Sequence, residues 1–194
     1  MKRIILASGS PRRRELLSQI YDEFEIITSE VDESLSEDIL PVQGVEILAV
    51  RKGEAVARSL APDCVVISSD TLVEIDGVPL GKPASREDAY RILSLLSGNH
   101  HNVHTGIAVH YAGRVISGVA SARVKFKPLT DAEIHAYIDS GEPMDKAGSY
   151  GIQGGAALFA EKLCGDYYNV MGLPVCRLGQ LLREIAPEIM EESE

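Results

Sequence analysis

The residues most able to do chemistry stand near the start of the chain, in LASGSPRRRELL, residues 6–17. Three small residues, Ser8-Gly9-Ser10, separate the apolar run Ile4-Ile5-Leu6 from Pro11 and three arginines. Proline suits the first turn of a helix, where its missing N–H has no partner to lose. Ser10 before it is predicted to cap that helix through its hydroxyl. The stretch therefore reads as strand, turn and helix N-terminus, with Arg12, Arg13 and Arg14 beside free backbone N–H groups. Helix N-termini favour anions, and arginine grips phosphate with two parallel hydrogen bonds. The alternative is a surface helix with solvated arginines. It is not a Walker loop, because GxxxxGK[ST] is absent.

Asp70 is the sharpest single candidate. It follows CVVISS, residues 64–69, an apolar-to-small run typical of a strand buried on both faces. Ligand sites of α/β proteins lie at the ends of such strands. A carboxylate there can hold a divalent cation or take a proton from water; otherwise it only starts a turn. Glu30, Asp32 and Glu33 add carboxylates in an acidic loop, and Lys52 and Lys82 are candidate cations, Lys82 on the rigid turn Gly81-Lys82-Pro83. The stretch DKAGSYGIQGG, residues 145–155, combines close backbone approach with the planar amide of Gln153, which can both donate and accept. It serves either a ligand, such as the edge of a base, or only the loop's own shape. His100, His101 and His104 sit at an apparent strand start, where His101 and His104 point to opposite faces, so packing or surface roles are favoured over a metal. The Tyr167-Tyr168 pair reads as packing.

These residues need a frame. Strands are predicted over 3–8, 24–28, 64–75, 101–112 and 114–127, with a last pair over 157–163 and 167–171 around Gly165-Asp166. Helices are predicted over 11–20, from Pro41 to about Leu60, from Ser85 to about Leu96, from Thr130 or Asp131 to near Gly141, and over 174–185. Asp76-Gly77 is a hairpin signal. The acidic tail beyond Pro187 is predicted to fray. Strands alternating with helices indicate an α/β fold, and the two long adjacent hairpin strands make its sheet mixed.

The bulk numbers narrow the function. A chain of 194 residues is one domain, or two lobes sharing a core. A formal net charge of −10 disfavours stable nucleic-acid binding, whose affinity comes from many Lys/Arg–phosphate contacts. A local arginine cluster on an acidic body fits a small anionic ligand. The three cysteines, Cys64, Cys164 and Cys176, form no CxxC pair and read as reduced, mostly buried thiols of a cytoplasmic protein. No stretch approaches the ~18 apolar residues of a membrane span.

Taken together, LASGSPRR (6–13), SDT (69–71), GKP (81–83), LSG (96–98), DKAGSYGIQG (145–154) and GDYYNVMGLP (165–174) resemble the Maf family of nucleoside triphosphate pyrophosphatases. The resemblance spans almost the whole chain. It implies an inosine triphosphatase-like fold: a long mixed β-sheet with flanking helices, forming two lobes around a cleft. It implies cleavage of a nucleoside triphosphate to the monophosphate and pyrophosphate with a divalent cation, Mg²⁺ or Mn²⁺. The GIQG loop resembles the branch acting on dTTP and UTP rather than 7-methyl-GTP. By the resemblance Asp70 is the proton acceptor. Arg12, Thr71 and Gln153 fall on positions tied to base selectivity. Ser8, Arg13, Glu33, Lys52 and Lys82 fall on the phosphate and metal site, with Glu33 or Asp70 on the metal. A homodimer is implied at the family level. Ser69 and Ser149 depart from the family pattern, where alanine is common. The rival expectations are a 7-methyl-GTP or broad non-canonical pyrophosphatase, and a nucleotide-sensing regulator of septum formation.

Overall fold

A computed structural model gives the fold, and the structure describes residues 2–28, 30–36 and 38–191. In chain order the elements are β1 (Ile4–Leu6), α1 (Pro11–Leu17), β2 (Glu25–Ile26), α2 (Pro41–Ala57), β3 (Val65–Ile75) and β4 (Val78–Leu80). Then come α3 (Arg86–Leu96), β5 (His100–Tyr111), β6 (Arg114–Phe126) and α4 (Asp131–Asp139). Single 3₁₀ turns within residues 142–158 lead to β7 (Ala160–Cys164), α5 (Tyr167–Met171), α6 (Val175–Ile185) and α7 (Pro187–Glu191).

The strands form one seven-stranded mixed sheet in the order β2-β1-β3-β5-β6-β7, with β4 also on β3. β1 is parallel to β2 and β3, and the other pairings are antiparallel. One edge of β3 carries two short partners in succession. β1 pairs with Val65 to Ile67, and β4 pairs with Val73 to Ile75. Residues 68–72 between them have no strand on that edge, while their other edge is paired throughout with β5. The gap follows from the sequence: the small residues after Leu6 end β1 early, and Asp76-Gly77, both at positive φ, turn the chain back as β4.

Alternation along the strands splits the core. Ile4, Leu6, Val65 and Ile67 join the large cluster with the buried residues of α1, α3, α4 and α6. Ile5, Ala7, Cys64 and Val66 pack with Val56 of α2 on the opposite face. Helix α2 lies unusually close to the sheet. Gly106 of β5 has no Cβ, and one placed there would stand 2.1 Å from the carbonyl oxygen of Val45. Any larger residue would push the helix off the strand next to Asp70, with which Gly106 is paired.

Several predicted elements differ in the structure. Ser10 makes no side-chain cap. The Ser8 hydroxyl instead accepts the Ser10 N–H at 3.3 Å. Residues 167–171 form helix α5, not a strand: Asp166 caps it by accepting the Tyr168 N–H, and Gly172 ends it at φ 107°. β7 therefore pairs with β6, not with a following strand. The strand within 24–28 shortens to Glu25–Ile26, α1 ends at Leu17 and α2 at Ala57. β3 spans Val65–Ile75, close to the predicted 64–75, so Asp70 lies within the strand and not at its end. Residues 187–191 form α7 with Ile189 buried, so the predicted fraying does not hold there, and the rest of the predicted tail lies outside the described residues. Only Cys64 is a buried thiol; Cys164 and Cys176 are exposed.

Candidate active site

The open stretch of β3 presents chemistry on both faces. Side chains alternate along a strand, so Ser68 and Asp70 face α2 while Ser69 and Thr71 face the other side. Ser68 Oγ donates to the Ala49 carbonyl of α2. One turn further along α2, Lys52 Nζ donates to Asp70 Oδ1 at 2.6 Å. The same ammonium pairs with Glu33 Oε1 at 2.7 Å. Lys52 and Asp70 are largely buried, whereas the Glu33 side chain is 62% exposed. The Lys52 hydrogen bond holds Glu33 below the usual carboxylate range against the opposing effect of burial; Lys82 and Arg13 add to the lowering. Among the described residues, Asp70 Oδ2 has no hydrogen-bond partner, so one carboxylate oxygen is anchored and the other is available.

On the opposite face stands Arg13. Its Nε donates to the Gly172 carbonyl at 2.9 Å. One terminal nitrogen donates to Ser8 Oγ at 3.1 Å, and the other to Thr71 Oγ1 at 3.1 Å. All three partners are neutral, and among the described residues no carboxylate pairs with Arg13. Burial lowers the guanidinium from its ordinary value, with the charge of Asp70 opposing that. A fixed, partly desolvated cation with no counter-ion is what an anionic ligand requires.

Between these groups lies a cavity of about 620 Å³, lined by Ser8, Arg12, Arg13, Glu33, Lys52, Asp70, Thr71 and Lys82 among others. Lys82 has no ion pair among the described residues. The sequence-predicted residues thus converge, with three exceptions. Arg14 is exposed and does not line the cavity. Gln153 is exposed and is not part of the cavity lining, although Gly151 and Ile152 beside it are. Among the described residues of the acidic loop, only Glu33 lines the cavity; Asp32 turns away to accept from the Ser34 N–H and hydroxyl. Sequence reasoning missed Gly172, whose carbonyl holds both Arg13 and Ser69 Oγ. It also missed Tyr150, Asp145 and Lys146, which line the far part of the cavity. The glycine-rich composition of residues 145–155 was the signal for that wall; a carbonyl acceptor leaves none.

Of the histidines, His101 packs edge-on against Phe126 and Tyr150, and its Nε2 lies 2.8 Å from Tyr150 Oη. Burial pushes the His101 imidazole down to about 4. Its folded-state value is therefore below its unfolded value. Its contribution to stability is complete above about pH 6.5 and is lost as the pH falls towards 4. The unfolding midpoint should fall over this interval, with His101 responsible for up to about 3 kcal/mol. His104 and His110, also lowered by burial, act in the same direction. Thermal unfolding against pH should show a shallower slope for His101→Gln; an unchanged slope would remove His101 from this role.

No group of three or more His, Cys, Asp or Glu side chains able to cage a metal occurs among the described residues. The carboxylates of Glu33 and Asp70 nevertheless meet on one ammonium beside the cavity. Two carboxylates fit a hard divalent cation of the Mg²⁺ type, which takes the rest of its oxygen ligands from phosphates and water.

The family model described as Maf-like protein matches residues 3–185. The chain belongs to the Maf family. A Maf-family relative from Alkaliphilus metalliredigens, named dTTP/UTP pyrophosphatase, is 49% identical over 186 residues, covering 95% of this chain and 96% of its own. One from Moorella thermoacetica, with the same name, is 48% identical over 184 residues and 94% of each chain. Among solved structures, a HAM1 protein from Coxiella burnetii matches 95% of this Maf chain and 100% of its own, with a TM-score of 0.50 and 16% identity. That likeness concerns the fold alone: the mixed sheet with flanking helices is similar to that of this one protein. No helix among the described residues is long and apolar enough to cross a membrane.

Proposed function

We propose that this chain hydrolyses dTTP and UTP at the α–β phosphoanhydride, releasing the monophosphate and pyrophosphate. The observation that carries the reading is the pairing, across one open strand edge, of an anchored carboxylate at Asp70 with an uncompensated guanidinium at Arg13. The names of relatives at 48–49% identity over nearly the whole chain supply the substrate class. We take the protein to act in the cytoplasm; a homodimer fits the family.

The residues divide the work by their surroundings. Lys52 anchors Asp70 through Oδ1, leaving Oδ2 to orient a water and accept its proton as the water oxygen attacks the α-phosphorus. The bond to the bridging oxygen breaks and pyrophosphate leaves with that electron pair. Arg13, with Ser8 behind it, binds phosphate oxygens, and Lys82 and Arg12 add positive charge around the polyphosphate. Glu33 and Asp70 would hold a divalent cation, which when bound neutralises phosphate charge and makes the phosphorus easier to attack. Catalysis then rests mainly on positioning and charge stabilisation, as in phosphoryl transfer generally. Tyr150, Ile152 and the chain around them offer a wall for the base. Gln153, at the edge of that wall, is assigned to reading the O4 and N3–H groups of uracil and thymine.

The test is pyrophosphate release over a panel of standard and modified triphosphates with Mg²⁺ or Mn²⁺. The expected result is preference for dTTP and UTP, and a larger loss on these than on other substrates in Gln153→Ala. No pyrophosphate from either nucleotide with either metal would overturn the reading. An unchanged preference in Gln153→Ala would remove that residue alone.

A further inference from the structure

The Arg13 guanidinium ends on a hydroxyl, and a hydroxyl can face a cation in two ways. It welcomes an N–H donor with a lone pair and repels it with its own proton. Thr71 Oγ1 lies 3.1 Å from Arg13 and 3.0 Å from Thr105 Oγ1 on the neighbouring strand β5, its direct cross-strand partner. Thr105 is fully buried, and its Oγ1 lies 2.8 Å from the carbonyl oxygen of Asn169 in α5. That carbonyl also accepts the Gly172 N–H. A carbonyl can only accept, so the single Thr105 proton goes to Asn169. Thr105 must then accept from Thr71. The Thr71 proton is thereby committed, and only a lone pair is left for Arg13. The direction of every bond in the chain Arg13 to Thr71 to Thr105 to Asn169 is fixed by its far end.

We propose that Thr105 is a positioning residue for Arg13: by accepting the Thr71 proton it turns Thr71 into a pure acceptor and so holds the guanidinium in its phosphate-binding orientation. Thr105 does not line the cavity. It acts through Thr71. The same short segment also supplies the Gly172 carbonyl that holds Arg13 Nε, so both ends of the guanidinium are referred to residues 169–172. The kinetic part of this inference rests on the proposed pyrophosphatase activity; the orientation of Arg13 does not.

Thr105→Val keeps the shape and removes the hydroxyl, whereas Thr105→Ser keeps the hydroxyl. The valine variant should lower kcat/KM for dTTP about tenfold, the worth of one hydrogen bond, with the change carried by KM. The serine variant should stay near wild type. In a Thr71→Val background, Thr105→Val should add nothing further, because the relay is already broken. The Nε–H resonance of Arg13, followed without substrate, should broaden and exchange faster in the valine variant but not in the serine variant. Wild-type KM and an unchanged Arg13 resonance in Thr105→Val would overturn the proposal, as would a full additional loss in the Thr71→Val background. Should the valine variant fail to fold, a folded Thr105→Ser protein with raised KM and a broadened Arg13 signal would overturn it equally. A wild-type protein that releases no pyrophosphate would sink the activity, and the Arg13 resonance would still decide the role of Thr105.

Discussion

Replacing Asp70 by asparagine should lower kcat by about 10²–10⁴, the usual worth of a general base, with the protein still folded. The amide has the carboxylate's shape, so the strand and its packing survive. It cannot take a proton from water, and it no longer balances the ammonium of Lys52 at 2.6 Å. Lys52 retains Glu33 as a partner, so the substitution leaves no isolated buried cation. The unfolding midpoint should therefore move little compared with the rate. Steady-state pyrophosphate release and a thermal melt on the same preparation separate the two quantities. Turnover close to wild type in a folded Asp70→Asn protein would take the proton-accepting role away from this residue.

Arg13→Ala is expected to lower kcat/KM for a nucleoside triphosphate by about 10²-fold or more. A hydrogen bond from a charged donor contributes about 1.5–3 kcal/mol, arginine offers phosphate two of them, and about 1.4 kcal/mol is a factor of ten. The residue's present partners are two hydroxyls and a carbonyl. Removing it strands no counter-charge, and the fold should persist. Arg13→Lys should recover little, because one ammonium cannot satisfy three acceptors spread around a planar fork. Calorimetric titration with a non-hydrolysable triphosphate measures the binding share directly. Equal affinity in the alanine variant would show that Arg13 does not grip the phosphates.

Much of this frame was legible before any coordinates. The Asp76-Gly77 turn, the helix starts at Ser85 and at Thr130 or Asp131, and the two long hairpin strands are local signals with local physics; the turn and strands stand, and Ser85 and Thr130 prove to be the caps. The cations that line the cavity were legible because arginines and a lysine-bearing rigid turn are conspicuous by type. What failed did so where two local signals competed. YYNVM holds β-prone Tyr and Val after the turn-like Gly165-Asp166, but Asp166 before it and Gly172 after it are helix punctuation, and the punctuation prevailed. Ser10 sits in the capping position, yet Ser8 has drawn its N–H into the turn before the helix. Other residues could not have been found from sequence. Thr105 looks like any threonine in a strand; its significance depends on β3 lying beside it and α5 crossing behind.

Asp70 and Thr71 are adjacent in sequence but belong to opposite sides of the sheet, one with Lys52, the other with Arg13. Slipping β3 by a single residue against β5 would turn each to the opposite face, taking the acid away from the ammonium and the hydroxyl away from the guanidinium. Inserting or deleting one residue between Ile67 and Val73 is thus far more harmful than its small change in volume suggests. Such a chain could keep its apolar neighbours and still lose its chemistry, whereas the exposed turn at Asp76-Gly77 can change length without reversing either side chain.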